Sequence, residues 1–303
     1  MVEDSKSTAY LRGELAQGIF MNFKNVVDTM RIRMPFGIAS TGICFRNEIT
    51  LGQGVFRTLQ FDLMEFEYFI RSENWEAAFE AWKKEMWSFA LELGLSKENL
   101  RWREHEDFER SHYSKKTMDV EYKFPFGWKE MWGLAYRTDY DLKNHMKNSG
   151  VDLNYRDPKT NEKFVPHVIE PTFGLSRLLI TILINAYHEE EVNGKKRTVL
   201  KLKPSLSPVK VAIFPLQKDD SLKIKALELL NNLKKTYVCE FDDSGNIGQM
   251  YRRQDEIGTP FCVTIDYKTI EDKAVTVRDR DTMKQERIKT DKLSDYLAEK
   301  LKI

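Results

Sequence analysis

Gly42 to Phe69 reads GICFRNEITLGQGVFRTLQFDLMEFEYF, and this stretch decides how the chain is read. It sets an Arg and a Glu close together in FRNE, follows them with the Gly-containing turn LGQG, places Arg57 four positions ahead of Phe61, and ends on Glu65 and Glu67. Ile43 to Ile49 reads as a strand with charge at alternate positions, and Val55 to Phe69 as its antiparallel partner across the LGQG turn. Side chains alternate along a strand with a period of two, so Arg46, Glu48 and Glu65 are expected to project from one surface of the sheet. A hairpin with so much charge on one face serves more than packing.

Around this hairpin, 303 residues suit two domains better than one. The net charge of +1 gives no global field, so a nucleic-acid or membrane partner would have to be met by a local patch. Cys44, Cys239 and Cys262 lie far apart and lack paired-ligand spacing. They are expected to be reduced thiols of a cytoplasmic protein rather than a disulfide framework or a zinc site. MVEDSKSTAY lacks a basic-then-apolar leader pattern. The apolar run 175–186 is interrupted by Ser176, Arg177, Thr181 and Asn185, so no membrane segment is expected.

Upstream of the hairpin, Ile19, Phe20, Phe23, Val26 and Val27 have the three-four spacing of an amphipathic helix. Arg12 and Glu14, just before it, read on pattern alone as a surface ion pair. Downstream, Trp75, Phe79, Trp82, Met86, Phe89 and Leu93 predict a helix ending near Gly94, with its aromatic stripe in the core. DVEYKF and MWGLAYRTDYDL read as further antiparallel strands, with Arg137 and Asp139 either paired with each other or facing a cavity. After a loop, FVPHVIEP predicts a strand and GLSRLLITILINAY a buried helix. Arg177 in the first turn of that helix opposes the helix dipole, which points to an anionic ligand or to Glu170 as its partner. His167 and His188 read as structural or solvated.

KPSLSP, residues 203–208, marks a boundary between domains at 1–205 and 206–303. Beyond it, strands alternate with helices as far as a last helix to Ile303, which predicts a small, mostly parallel α/β domain covered on both faces. Arg252, Arg253, Arg278 and Arg280 could touch phosphates, with ion pairing to Asp255, Asp279 and Asp281 as the default.

FRNE followed by Arg57-x-x-x-Phe61, and EPTFGLSR running into an apolar helix, resemble motifs 2 and 3 of class II aminoacyl-tRNA synthetases. LRGELAQGIFMNF is similar to LRPETAQGIFVNF of the bacterial dimeric glycyl-tRNA synthetases, and PFGIASTGICFRNEIT, GLAYRTDYDL, YRRQDEIGTPFCVT and VTVRDRDTM are also close to that family. The resemblance covers essentially all 303 residues. It implies an α+β fold: a catalytic antiparallel sheet flanked by helices, followed by a small α/β anticodon-binding domain.

The same resemblance implies activation of glycine by ATP, with Mg²⁺ accompanying the nucleotide, and transfer to tRNA(Gly), in a cytoplasmic and homodimeric enzyme. By motif, Arg46 would hold the α-phosphate, Phe61 would stack on adenine, Arg57 and Glu48 would belong to the ATP site, and Arg177 would reach the γ-end. Arg46 and Arg177 would be the catalytic pair. Glu14, Glu65, Arg137, Glu170 and Thr172 would form the glycine pocket. The chain begins at the equivalent of the family's glycine-pocket loop, so motif 1 is expected to be missing. Leu51 stands where Pro is usual, Thr58 to Gln60 differ from the family's Arg- and Glu-bearing segment, Gly13 and Leu15 replace Pro and Thr, Thr172 replaces Ser, and Ser176 replaces Asp. These departures keep a second reading open: a synthetase-like paralogue that binds tRNA or a protein, or that activates an amino acid for another acceptor.

Overall fold

The computed structural model describes residues 10–301, in two compact units that divide at Thr181 and Ile182. The stretch before Tyr10 and the expected end of the last helix at Ile303 lie outside the described residues.

In the first unit, helix α1 (Ala16–Met30) precedes strands β1 (Phe36–Phe45) and β2 (Gln60–Ile70). Helix α2 (Trp75–Glu92) follows, then β3 (Leu100–Glu104), β4 (Lys116–Phe124) and β5 (Gly127–Thr138). Helix α3 (Tyr140–Ser149), the short hairpin of β6 (Tyr155–Arg156) and β7 (Lys163–Phe164) and β8 (His167–Gly174) complete the series, and the division between the units falls within α4 (Leu175–Ala186). Six strands form one antiparallel sheet in the order β1-β2-β8-β5-β4-β3.

Period-two alternation sorts this sheet into two faces. Phe66 and Tyr68 meet Trp82, Tyr136 stacks on Trp75, and Trp132 stacks on Phe89, so these side chains face α2. On the other face Phe69 meets Phe20 and Phe23 of α1, in a core shared with Leu142 and Val168. Glu65 and Glu67 share the parity of Phe69 and therefore lie on the α1 face.

Three expectations are corrected here. The hairpin strand does not run through FRNE: Phe45 pairs with Gln60 at its end, and residues 46–59 form a folded loop. Gln53 in the left-handed region (φ 58°), a 3₁₀ turn at Gly54–Phe56 and a bridge between Gly52 and Arg57 wrap that loop, so Arg46 and Glu48 stand on it and not on the sheet. MWGLAYRTDYDL is not one strand. Thr138 has φ 58°, β5 ends there, and the segment turns into α3. Finally, α4 is amphipathic rather than buried, with Leu179 57% and Leu183 40% exposed.

The second unit holds the hairpin of β9 (Tyr187–Val192) and β10 (Lys195–Leu200), turned at Asn193 and Gly194, both with positive φ. Its five-stranded sheet contains β11 (Val211–Pro215), β12 (Cys239–Phe241), β13 (Phe261–Ile265), β14 (Ala274–Asp279) and β15 (Gln285–Lys289), in the order β12-β11-β13-β14-β15. β11 pairs in parallel with β12 and β13, while β14 runs antiparallel to both β13 and β15, so the sheet is mixed where a mostly parallel one was expected. Helices α5 (Asp220–Leu233) and α8 (Leu293–Leu301) cover one face. Helix α6 (Ile247–Ile257), opened by an Asn246 capping box, covers the other, and the single-turn α7 (Tyr267–Asp272) precedes β14.

Ion pairing holds Arg253, Arg278 and Arg280, whereas Arg252 comes no nearer than 3.9 Å to Asp255 and its Nη1 has no hydrogen-bond partner. Fully buried Asp255 accepts from Arg197 and Arg278, and Arg253 binds Asp242. Arg280 donates to Asp281 and to the carbonyls of Gly258 and Leu202. Asp279 caps the Thr282 turn.

Candidate active site

The folded loop, β2 and the start of α4 enclose a pocket in the first unit. Arg46, Glu48, Arg57, Phe61, Thr172 and Arg177 all border it. Arg46 Nε donates to the Gly13 carbonyl at 3.2 Å, and its guanidinium lies 5.2 Å from the centre of the Phe61 ring. Arg57 Nε stands 3.8 Å from Glu48.

The protein partner of Arg177 is not the expected Glu170. Its Nη1 meets the Glu130 carboxylate at 3.0 Å and the Glu130 carbonyl at 3.1 Å, its Nε donates to the Phe56 carbonyl, and its guanidinium covers the Phe56 ring at 4.6 Å. Glu170 is taken by Arg137 instead. Three guanidinium groups and one exposed aromatic face around one cleft suit a polyphosphate joined to a flat base.

The second cluster is built of carboxylates. Residues 12–15 run along the end of β1: the Phe45 amide donates to the Arg12 carbonyl at 2.8 Å, and Arg12 Nε donates to the Ile43 carbonyl at 2.8 Å. A Cβ at Gly42 would lie 2.3 Å from the Arg12 guanidinium, so a side chain there would push the arginine end aside. The segment brings Glu14 to the cluster, and the Leu15 amide donates to Glu65 Oε2 at 2.6 Å.

At the centre, Arg137 is buried and fully oriented. Nε and Nη2 hold Asp141 at 2.8 Å each, and Nη1 holds Glu170 at 2.8 Å. Tyr113 covers the guanidinium at 3.9 Å. Arg137 sits where the β5–β8 register shifts between Tyr136 and Thr138, a bulge that aims its side chain inward. It does not pair with Asp139, which binds Lys143 at 2.6 Å and lies 3.6 Å from His167.

Electrostatics follow from this crowding. Burial pushes the Glu65 carboxyl up, and burial against the pull of Arg137 leaves Glu170 at about 7. Burial alone would lower the Arg137 guanidinium, but Glu170 and Asp141 hold it firmly charged. On the outer strands Asp119 contacts His105 at 2.6 Å, and burial, with Glu130 nearby, raises its carboxyl to about 6.

The sequence reading named the residues of both clusters but gave no role to Glu67, and it missed Asp141, Tyr113 and Glu130. Asp141, four residues after Arg137 and on the first turn of α3, was findable once TDYDL is read as a helix start. Tyr113 and Glu130 have no local signal.

Residues 1–186 match the family tRNA synthetase class II core domain (G, H, P, S and T), and residues 210–300 match the family Anticodon binding domain. The chain is similar to glycine–tRNA ligases of Clostridium acetobutylicum (53% identical over 303 residues), Caldanaerobacter subterraneus subsp. tengcongensis (53% over 302) and Clostridium tetani (53% over 302). Each match covers 99–100% of this chain and 65% of the relative, so the chain spans about two thirds of their length.

Proposed function

The chain belongs to the class II core family of tRNA synthetases, and on that premise we propose that it activates glycine with ATP and transfers it to tRNA(Gly). The observation that carries the proposal is the junction of two sites on one sheet face: Thr172, on β8, borders the arginine-lined pocket, and Glu170, two residues before it, belongs to the carboxylate cluster.

In this reading Arg46 holds the α-phosphate, Phe61 stacks on adenine, Arg57 and Glu48 line the nucleotide site, and Arg177 meets the far end of the triphosphate, steered by Glu130. The glycine ammonium is held by Glu14, Glu65 and Glu170, Arg137 takes its carboxylate, and Thr172 limits the room for a side chain. The glycine carboxylate attacks the α-phosphorus and pyrophosphate leaves. A ribose hydroxyl at the tRNA end then attacks the carbonyl, and AMP leaves. Alignment and charge neutralisation supply the catalysis, so the arginines matter more than a general base.

Among the described residues no group of three His, Cys, Asp or Glu could hold a metal ion. In this reading magnesium accompanies the nucleotide. Among the described residues no helix is long and apolar enough to cross a membrane. From the resemblance to glycine–tRNA ligases we propose a cytoplasmic homodimer whose second domain reads the anticodon.

Amino-acid-dependent ATP–pyrophosphate exchange across all amino acids, then with tRNA added, tests the proposal. Glycine-specific exchange followed by transfer to tRNA is expected. Exchange without transfer identifies the paralogue, and folded protein that shows no exchange with glycine overturns the synthetase reading.

A further inference from the structure

Two rings lie against the buried guanidinium of Arg137. Phe20 on α1, itself fully buried, stands with its ring centre 5.5 Å from Cζ. Tyr113, in the irregular segment 105–115 between β3 and β4, comes closer, at 3.9 Å. Strand register brings it there. Lys116 pairs with Tyr136, and the chain running back from β4 stays on that neighbour: the Lys115 amide and the Ser114 hydroxyl both donate to the Tyr136 carbonyl, at 2.9 and 3.3 Å. Tyr113 is thereby delivered beside the residue that follows Tyr136, which is Arg137.

The N–H groups of a guanidinium lie in its plane, so the hydrogen bonds of Arg137 to Asp141 and Glu170 fix where its donors point but resist tilting of the plane less. Tilting is opposed by what covers the flat face. A ring over a cation that is only 1% exposed acts strongly there, because water no longer competes for the charge. The proposed reaction gives Tyr113 no task. Resting on the glycine reading above, we infer that Tyr113 is a positioning residue of the amino-acid subsite: its ring keeps water off the Arg137 guanidinium and holds it at the angle at which it receives the carboxylate of the amino acid.

The neighbours of Tyr113 fit this role. The Ser111 side chain takes its hydroxyl, so the ring and not the hydroxyl serves Arg137. Besides Arg137, its charged neighbours are Glu170 and Glu14, two of the acids assigned to the ammonium, and it does not line the arginine-bordered nucleotide pocket. The segment that carries it is braced. Arg110 donates to the Lys115 carbonyl at 3.0 Å, the Ser114 hydroxyl meets Thr117 Oγ1 at 2.7 Å, and the His112 ring packs edge-on against Tyr113 and Tyr140. A ring on a braced segment holds its partner in place; one on a loose loop would follow it.

Pyrophosphate exchange by the 303-residue chain, with glycine and ATP varied in turn, tests this role. Tyr113→Ala is expected to raise the glycine requirement about tenfold and the ATP requirement less than about twofold, while Tyr113→Phe, which keeps the ring, stays within about twofold of the parent for both. Because the ring acts through the arginine, the two sites are not additive: in an Arg137→Lys background, Tyr113→Ala is expected to add less than about twofold. An unchanged glycine requirement, equal effects on glycine and ATP, a Tyr113→Phe variant as impaired as Tyr113→Ala, or the full effect in the Arg137→Lys background each overturns the inference. Where urea unfolding shows that Tyr113→Ala no longer folds, Tyr113→Leu decides. It fills the space without a π face and is expected to raise the glycine requirement alone, about fivefold; a leucine variant that matches the parent overturns the inference, since packing would then suffice. Absence of glycine-dependent exchange in the folded parent overturns the functional reading instead, which separates the two failures.

Discussion

Arg137 and Glu170 meet across adjacent antiparallel strands, Nη1 to Oε1 at 2.8 Å, with the arginine 1% and the acid 6% exposed. The contact depends on the bulge at Arg137 and on the fork it offers to Asp141. Arg137→Lys removes the fork while keeping the charge. The glycine requirement in pyrophosphate exchange is expected to rise more than tenfold, with the ATP requirement changed less than about twofold; equal effects on both would reject the assignment. Arg137→Ala leaves buried acids uncompensated and is expected to cost about 3–5 kcal/mol in urea unfolding.

Phe61 lies beside Arg46 on the wall of the arginine-lined pocket. Base–aromatic stacking contributes about 1–3 kcal/mol, so Phe61→Ala is expected to raise the ATP requirement about 5- to 150-fold. The glycine requirement should stay near that of the parent, measured in the same exchange assay.

Thr172 borders the pocket next to Glu170. Thr172→Ser removes one methyl group, and a methyl-sized change in a small pocket shifts discrimination by about 10- to 200-fold. The ratio of glycine-dependent to alanine-dependent exchange is expected to fall within that range. An unchanged ratio would remove Thr172 from the pocket wall.

In the second unit, Asp255 carries two buried arginines. Hydrogen bonds from Arg197 and Arg278 outweigh burial and hold its carboxyl below the usual value of 3.8. A depressed acid contributes stability above its unfolded value and loses it as pH falls through the folded one, so this contribution is complete near neutrality and disappears only below about pH 3.8. Asp255→Ala is expected to destabilise the unit by about 3–5 kcal/mol at pH 7, and to shrink the stability lost between pH 4 and pH 2. Denaturant melts across that range check both.

The motif arginines and Phe61 were legible because their spacing is local and their chemistry has few alternatives. Their support was not. Glu130 reaches Arg177 across 47 residues, and Tyr113 covers Arg137 from an irregular segment. The wrapped loop depends on Gln53 at positive φ, a conformation that its residue type does not announce. The bulge at Arg137 depends on register between strands, which periodicity along one strand cannot reveal. The hairpin of β9 and β10 is a different matter: its Asn193–Gly194 turn is a strong local signal, and the charged residues around it concealed the strands.

That hairpin sets where the chain can be cut. Arg197 stands on β10, while its acceptors Asp255 and the Arg280 carbonyl lie 58 and 83 residues further on, and the Leu202 carbonyl that receives Arg280 lies just after the same strand. A fragment starting at the proline-marked boundary would discard one of the two guanidinium groups that neutralise Asp255 and the carbonyl that receives Arg280. Residues 187–203, which look like a tether between two domains, are thus an internal strut of the second, and a protease that nicks them should loosen the sheet rather than release it whole.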